Sequence, residues 1–159
     1  MVKFSRAKVI VFDIDEAVSF TGESGPYLQY AVVRANKVFQ KLQERTGLTA
    51  TDVLSSIKTT PPDALGPGDE GDALWNLVLE AARLDDVVEQ AVRSLEFSGL
   101  AKYGFGLAQM FSAFYQSDAS IINEEREDVQ RWRVAAVAYF RQQLTQVLDL
   151  MGVGVPQRM

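Results

Sequence analysis

Apolar positions in this chain fall into several helical stripes, separated by breaks rich in glycine and proline. The first long stripe runs from Pro26 to about Arg45. There Leu28, Ala31, Val32, Ala35, Val38, Phe39 and Leu42 recur at threes and fours and define one buried face. Pro26 suits the first turn of a helix, where its missing N–H leaves no bond unmade, and Gly47 supplies the stop. Ahead of this helix, residues 8–12 (Lys-Val-Ile-Val-Phe) form a short β-branched run. No comparable run follows to pair with it, so the pattern predicts an extended lead-in resting on helices rather than a sheet. Asp13 or Asp15 is placed to cap a short turn through Glu16 to Phe20, and Thr21 to Pro26 reads as a loop.

Beyond Gly47 a short helix is expected over Thr49 to Lys58, capped by Thr49 or Thr51 with Asp52 in its first turn. Three prolines and two glycines exclude regular structure between Thr59 and Gly68. Helical spacing resumes over Asp69 to Leu84 with Leu74, Trp75, Leu77, Val78 and Leu79. Asp85 and Asp86 then mark a new N-terminus leading into Val87 to Leu95. That acidic doublet reads as helix capping, because no further acidic ligand lies at metal-binding spacing. Phe97 to Gln116 carries Leu100, Tyr103, Leu107, Met110, Phe111 and Phe114 at interface spacing. Gly104 and Gly106 inside it suggest a bend or a close approach by another backbone. Asn123 is a candidate cap for the last helix, with Glu124, Glu125 and Glu127 in its first turn. Its stripe of Val129, Trp132, Ala136, Tyr139, Phe140, Leu144, Val147, Leu148 and Met151 ends before Gly152. The whole pattern is that of an all-α multihelical bundle with one core.

One helix also carries a polar pattern. At about 100° per residue, Tyr27, Tyr30, Arg34, Lys37, Lys41 and Arg45 fall within an arc of roughly 80° beside the buried face. A solvated helix flank accounts for this arc. So does a nucleic-acid surface, in which cations follow phosphates and tyrosine rings stack on unpaired bases.

Composition narrows the chemistry. The 159 residues are 47% hydrophobic, enough for one domain with a sizeable core, and contain neither cysteine nor histidine. Thiolate and imidazole metal sites, disulfides and histidine acid–base catalysis are therefore excluded. A net charge of −5 disfavours sequence-blind binding to nucleic acid but leaves room for a local basic stripe. No apolar run approaches the roughly 20 residues that span a bilayer, and the N-terminus lacks the apolar stretch of a signal peptide. The sequence reads as cytoplasmic, with no membrane partner.

Two family resemblances follow. Val9-Ile-Val-Phe12 with Asp13-Ile-Asp15 resembles the opening of haloacid-dehalogenase-type phosphohydrolases, in which the first aspartate attacks phosphorus beside a magnesium ion. Ala17 departs from that family's pattern, and the strands its fold requires are not found. The second resemblance covers essentially the whole chain. Phe12 to Phe20, Gly22-Glu-Ser-Gly-Pro-Tyr-Leu-Gln-Tyr-Ala31 with Arg34, Phe111-Ser-Ala-Phe-Tyr115 and the ending Gly152-Val-Gly-Val-Pro-Gln-Arg-Met159 occur in the order found in arginyl-tRNA synthetases. Together they resemble that family's C-terminal anticodon-binding domain, of the DALR type.

This resemblance implies a bundle of the class I aminoacyl-tRNA synthetase anticodon-binding type, occupying residues 1–159 as a single domain. The implied partners are the anticodon loop of tRNA-Arg and the synthetase catalytic domain. The signatures His-Ile-Gly-His and Lys-Met-Ser-Lys-Ser are absent from this sequence, so ATP and magnesium are expected with that catalytic domain and no cofactor with this chain. The implied RNA-binding residues are Tyr27 and Tyr30 for stacking or ring packing and Arg34, Lys37 and Lys41 for the phosphate backbone. Tyr115 and the terminal Met159 complete the set. A freestanding helical adaptor that has lost RNA binding is the alternative.

Overall fold

In a computed structural model the described residues are 9, 11, 13–19, 22–59, 68–116 and 121–159. The expected lead-in over 8–12 lies largely outside them, as do residues 60–67 of the proline-rich linker and 117–120 of the loop after the sixth helix.

Seven α-helices and one 3₁₀ turn are formed by the described residues, with no strand among them. Helix α1 is Ile14–Val18, α2 Gly25–Thr46, α3 Ala50–Ser56 followed by the 3₁₀ turn Ile57–Thr59, α4 Asp69–Ala81, α5 Leu84–Ser94, α6 Ser98–Gln116 and α7 Glu127–Leu150. All seven residues assigned to the buried face of α2 are buried, together with Val33. The helix starts one residue before Pro26 because Ser24 caps it, its hydroxyl accepting from the Tyr27 N–H at 3.3 Å and donating to the Ser19 carbonyl. Gly47 ends it in the left-handed conformation (φ 73°), its N–H reaching Gln43 O at 2.9 Å. The short α3 has a reciprocal capping box. Thr49 accepts from the Asp52 N–H, and the Asp52 carboxylate accepts from the Thr49 hydroxyl at 2.6 Å and from the Thr49 N–H at 2.8 Å, bonds that hold the Asp52 carboxyl below its ordinary pKa, the hydroxyl contributing most.

Helix α7 is the hub, packing against α2, α3, α4 and α6, while α6 in turn packs on α2, α4 and α5. Phe111 of α6 and Phe140 of α7, both wholly buried, stack at 4.3 Å between ring centroids with planes 15° apart. Gly104 lets these two helices close up: a Cβ there would sit 2.9 Å from Val147 Cγ1. The close neighbour is thus a side chain rather than a backbone. Gly106, expected to serve the same purpose, faces open space.

One other expectation is corrected. Asn123 does not cap the last helix. That helix begins at Glu127, and the Asn123 side chain accepts instead from Arg45 of α2. The segment leading into α7 is gripped by tertiary contacts, with Arg133 buried and 3.0 Å from Glu124, and Gln130 donating to Ile121 O at 3.0 Å. These contacts outcompete the local capping preference. Of the apolar residues of α4, Trp75 and Leu79 are 45% and 48% exposed, since they lie across that helix from buried Leu74 and Leu77.

Tyr103 joins α6 to the end of α4. Its hydroxyl lies 3.0 Å from the carbonyl oxygens of both Glu80 and Ala81 in the last turn of α4, where Glu80 O also accepts from the Arg83 N–H at 3.1 Å. Burial, reinforced by the Glu80 charge, pushes its pKa up to about 12 from the ordinary tyrosine value of 10.0. The folded state therefore holds this proton after the unfolded chain has lost it. Stability should fall as pH rises from 10 towards 12, by at most about 1.4 kcal/mol per pH unit. Tyr103→Phe should remove that component in urea melts across this range, and an identical pH dependence in the variant would contradict the assignment.

Candidate nucleic-acid interface

On α2 the spacing of Tyr27, Tyr30 and Arg34 turns all three towards the same flank, and α6 supplies the other wall. Tyr27 is half-buried, its ring 5.3 Å from that of Phe105 and its hydroxyl 3.4 Å from Ser112 Oγ. It is therefore part of the wall between the helices. Tyr30 is 37% exposed and Tyr115 is 39% exposed. The Arg34 guanidinium lies 4.0 Å from the centroid of the Tyr115 ring and 5.5 Å from that of Tyr30. Its Nη1 donates towards Ser112 Oγ at 3.4 Å.

A flat cation is thus held beside two partly exposed aromatic faces, a surface suited to stacking on unpaired planar groups. Tyr115 is itself supported from below, with its ring 5.8 Å from that of the buried Phe111.

The remaining cations of the arc divide. Lys37 and Lys41 are exposed one and two turns further along α2. Arg45, part of the same arc, instead donates to Ile122 O at 3.0 Å and to the Asn123 side chain, and so ties the α6–α7 segment to the end of α2. At the other end of the chain, Gln29 of α2 donates to Gly154 O at 2.6 Å, and Val153 and Val155 pack against the core. This fixes the start of the C-terminal tail beside α2 and leaves Met159 39% exposed at its end. Tyr27, Tyr30, Arg34 and Tyr115 are therefore one contiguous group, Lys37 and Lys41 extend it along the helix, and Met159 is carried by a tail anchored five residues earlier.

Ser112 and Phe105 belong to the group but carry no sequence signal beyond their helical register with Tyr115. Asp13 and Asp15 are exposed at the start of α1, with no strand among the described residues to carry a phosphohydrolase site. No cluster of acidic side chains able to hold a metal occurs among the described residues. No helix among them is long and apolar enough to cross a membrane.

The profile of the DALR anticodon binding domain matches residues 28–159. The arginine–tRNA ligase of Clostridium beijerinckii is 34% identical over 158 residues, 99% of this chain and 25% of the relative. That of Thermobifida fusca is 34% identical over 149 residues, 94% of this chain and 23% of the relative. Among solved structures, the Thermus thermophilus arginyl-tRNA synthetase superposes with a TM-score of 0.76 at 24% identity, covering 99% of this chain and 25% of that one. The chain thus spans about a quarter of the length of these relatives.

Proposed function

Because the chain belongs to the DALR anticodon-binding domain family, we propose that it recognises the anticodon loop of tRNA-Arg on behalf of an arginine–tRNA ligase. The catalytic domain of that ligase, with its ATP and magnesium, would lie outside this span. The observation that carries this reading is the cluster of Tyr30, Arg34 and Tyr115, in which a guanidinium lies 4.0 Å from one partly exposed ring and 5.5 Å from another.

Anticodon-loop bases are unpaired and can be splayed out, so they are read by stacking and by hydrogen bonds to their edges. Tyr30 and Tyr115 offer the stacking faces, and Arg34 offers a third flat surface between them with donors at its rim. Tyr27 supports them from the helix interface, and Met159 adds an apolar contact from the tail. Lys37 and Lys41 take the phosphates, which set register without reading sequence. The acidic balance of the whole chain is compatible with this, because only the α2 flank needs to meet the RNA.

The test is a titration of the chain with a synthetic tRNA-Arg anticodon stem-loop and with the same hairpin carrying a changed anticodon, each at several salt concentrations. The matched hairpin should bind more tightly. The slope of log affinity against log salt should be about −1.4 if the two lysines neutralise one phosphate each. Equal affinity for the two hairpins would overturn anticodon recognition, and no binding would favour a helical adaptor.

A further inference from the structure

Ser112 of α6 meets two polar side chains of α2, Tyr27 and Arg34. It lies seven residues after Phe105 and three before Tyr115, so all three present the same side of α6 to α2. Across that contact Tyr27 meets Phe105, Arg34 meets Tyr115, and both Tyr27 Oη and Arg34 Nη1 lie 3.4 Å from the same Ser112 oxygen. A hydroxyl oxygen has two lone pairs, so it can accept from both donors at once.

We infer that Ser112 is a positioning residue, whose hydroxyl sets the in-plane orientation of the Arg34 guanidinium and thereby the selectivity of the RNA site. This rests on the RNA-binding reading above. The attraction of a guanidinium to an aromatic face depends on its distance from the ring and only weakly on rotation about the ring normal. The rings of Tyr30 and Tyr115 therefore hold the cation in place without deciding which of its five N–H groups point outward. The bond from Nη1 to Ser112 decides it: one edge of the fork is committed to the protein, and the other N–H groups are left to meet a base edge in fixed register. Tyr27, donating to the same oxygen from the opposite end of the contact, holds the hydroxyl in place. Loss of the hydroxyl leaves the stacking surface intact and lets the fork turn.

The experiment compares Ser112→Thr with Ser112→Val, which have the same shape and differ only in the hydroxyl. In the hairpin titration Ser112→Thr should keep the discrimination between matched and changed anticodons, and Ser112→Val should lower it about fivefold, the effect of one modest hydrogen bond. The salt slope should be the same for both, because Lys37 and Lys41 are untouched. A second readout needs no RNA: Arg34 side-chain N–H groups, followed by NMR in the full chain, should exchange with solvent faster in Ser112→Val than in Ser112→Thr. Equal discrimination by the two variants, whether intact or lost in both, would overturn the positioning role, and so would equal Arg34 exchange. Failure of the unsubstituted chain to bind either hairpin would instead overturn the function proposed above, and Arg34 exchange would then decide the role of Ser112 alone.

Discussion

Tyr115→Ala should weaken binding of the matched anticodon hairpin by about 1–3 kcal/mol, the range found when a base loses an aromatic stacking partner. Two effects act together. The ring, 39% exposed, is itself a stacking face, and it lies 4.0 Å from the Arg34 guanidinium, which would lose its nearer support. Stability should change little, because an exposed cation–π contact is worth only about 0.5–1 kcal/mol and the ring sits at the edge of the core. Calorimetric titration alongside a thermal melt separates the two quantities. Wild-type affinity in the variant would remove Tyr115 from the interface, and a large fall in melting temperature would make it a core residue.

One turn earlier on the same helix, Phe111→Ala should have the opposite profile, costing about 3–5 kcal/mol of stability. The side chain is wholly buried and stacked on Phe140, and its removal would open a cavity between α6 and α7, the helix on which most of the bundle packs. Part of the loss is the transfer of the ring to water. Part is the cavity, which the neighbouring helices can fill only by moving, and part is the ring pairing, worth about 0.5–1.5 kcal/mol. Urea denaturation measures the total. A loss below about 1.5 kcal/mol would mean that α6 and α7 collapse onto the space, contrary to the close packing that Gly104 permits. The contrast between positions 111 and 115 comes from where α6 ends: Phe111 lies under α7, whereas Tyr115, in the last turn of α6, lies at the rim beside α2.

Much of the fold was legible because helical burial is a local, periodic signal. The face of α2, the stop at Gly47 and the interface residues of α6 all follow from spacing and backbone preference within a few residues, as does the α3 cap to within the choice of Thr49 or Thr51, which the structure resolves as Thr49. The errors arose where local preference met a distant partner. Asn123 has the chemistry of a cap, but Arg45 claims its side chain from 78 positions away, and Arg133 with Gln130 hold the neighbouring segment in a non-helical path. The apolar composition of α4 left its buried face undecided, and Trp75 and Leu79 are exposed there, because apolar character does not say which flank of a helix its neighbours will cover.

The candidate site divides the same way. From the sequence alone, helical geometry put Tyr27, Tyr30, Arg34, Lys37 and Lys41 on one flank, since residues three and four apart on a helix must share a side. The all-α bundle and the exclusion of thiol and imidazole chemistry were likewise determined there, the latter by composition. Only the tertiary structure decided that Arg34 stacks on Tyr115 and turns towards Ser112, 78 residues away, that Tyr27 is a wall rather than an open ring, and that Arg45 serves the protein. Which helix faces which is set by packing of the whole core around α7, a property of the assembled bundle that no local window of residues contains.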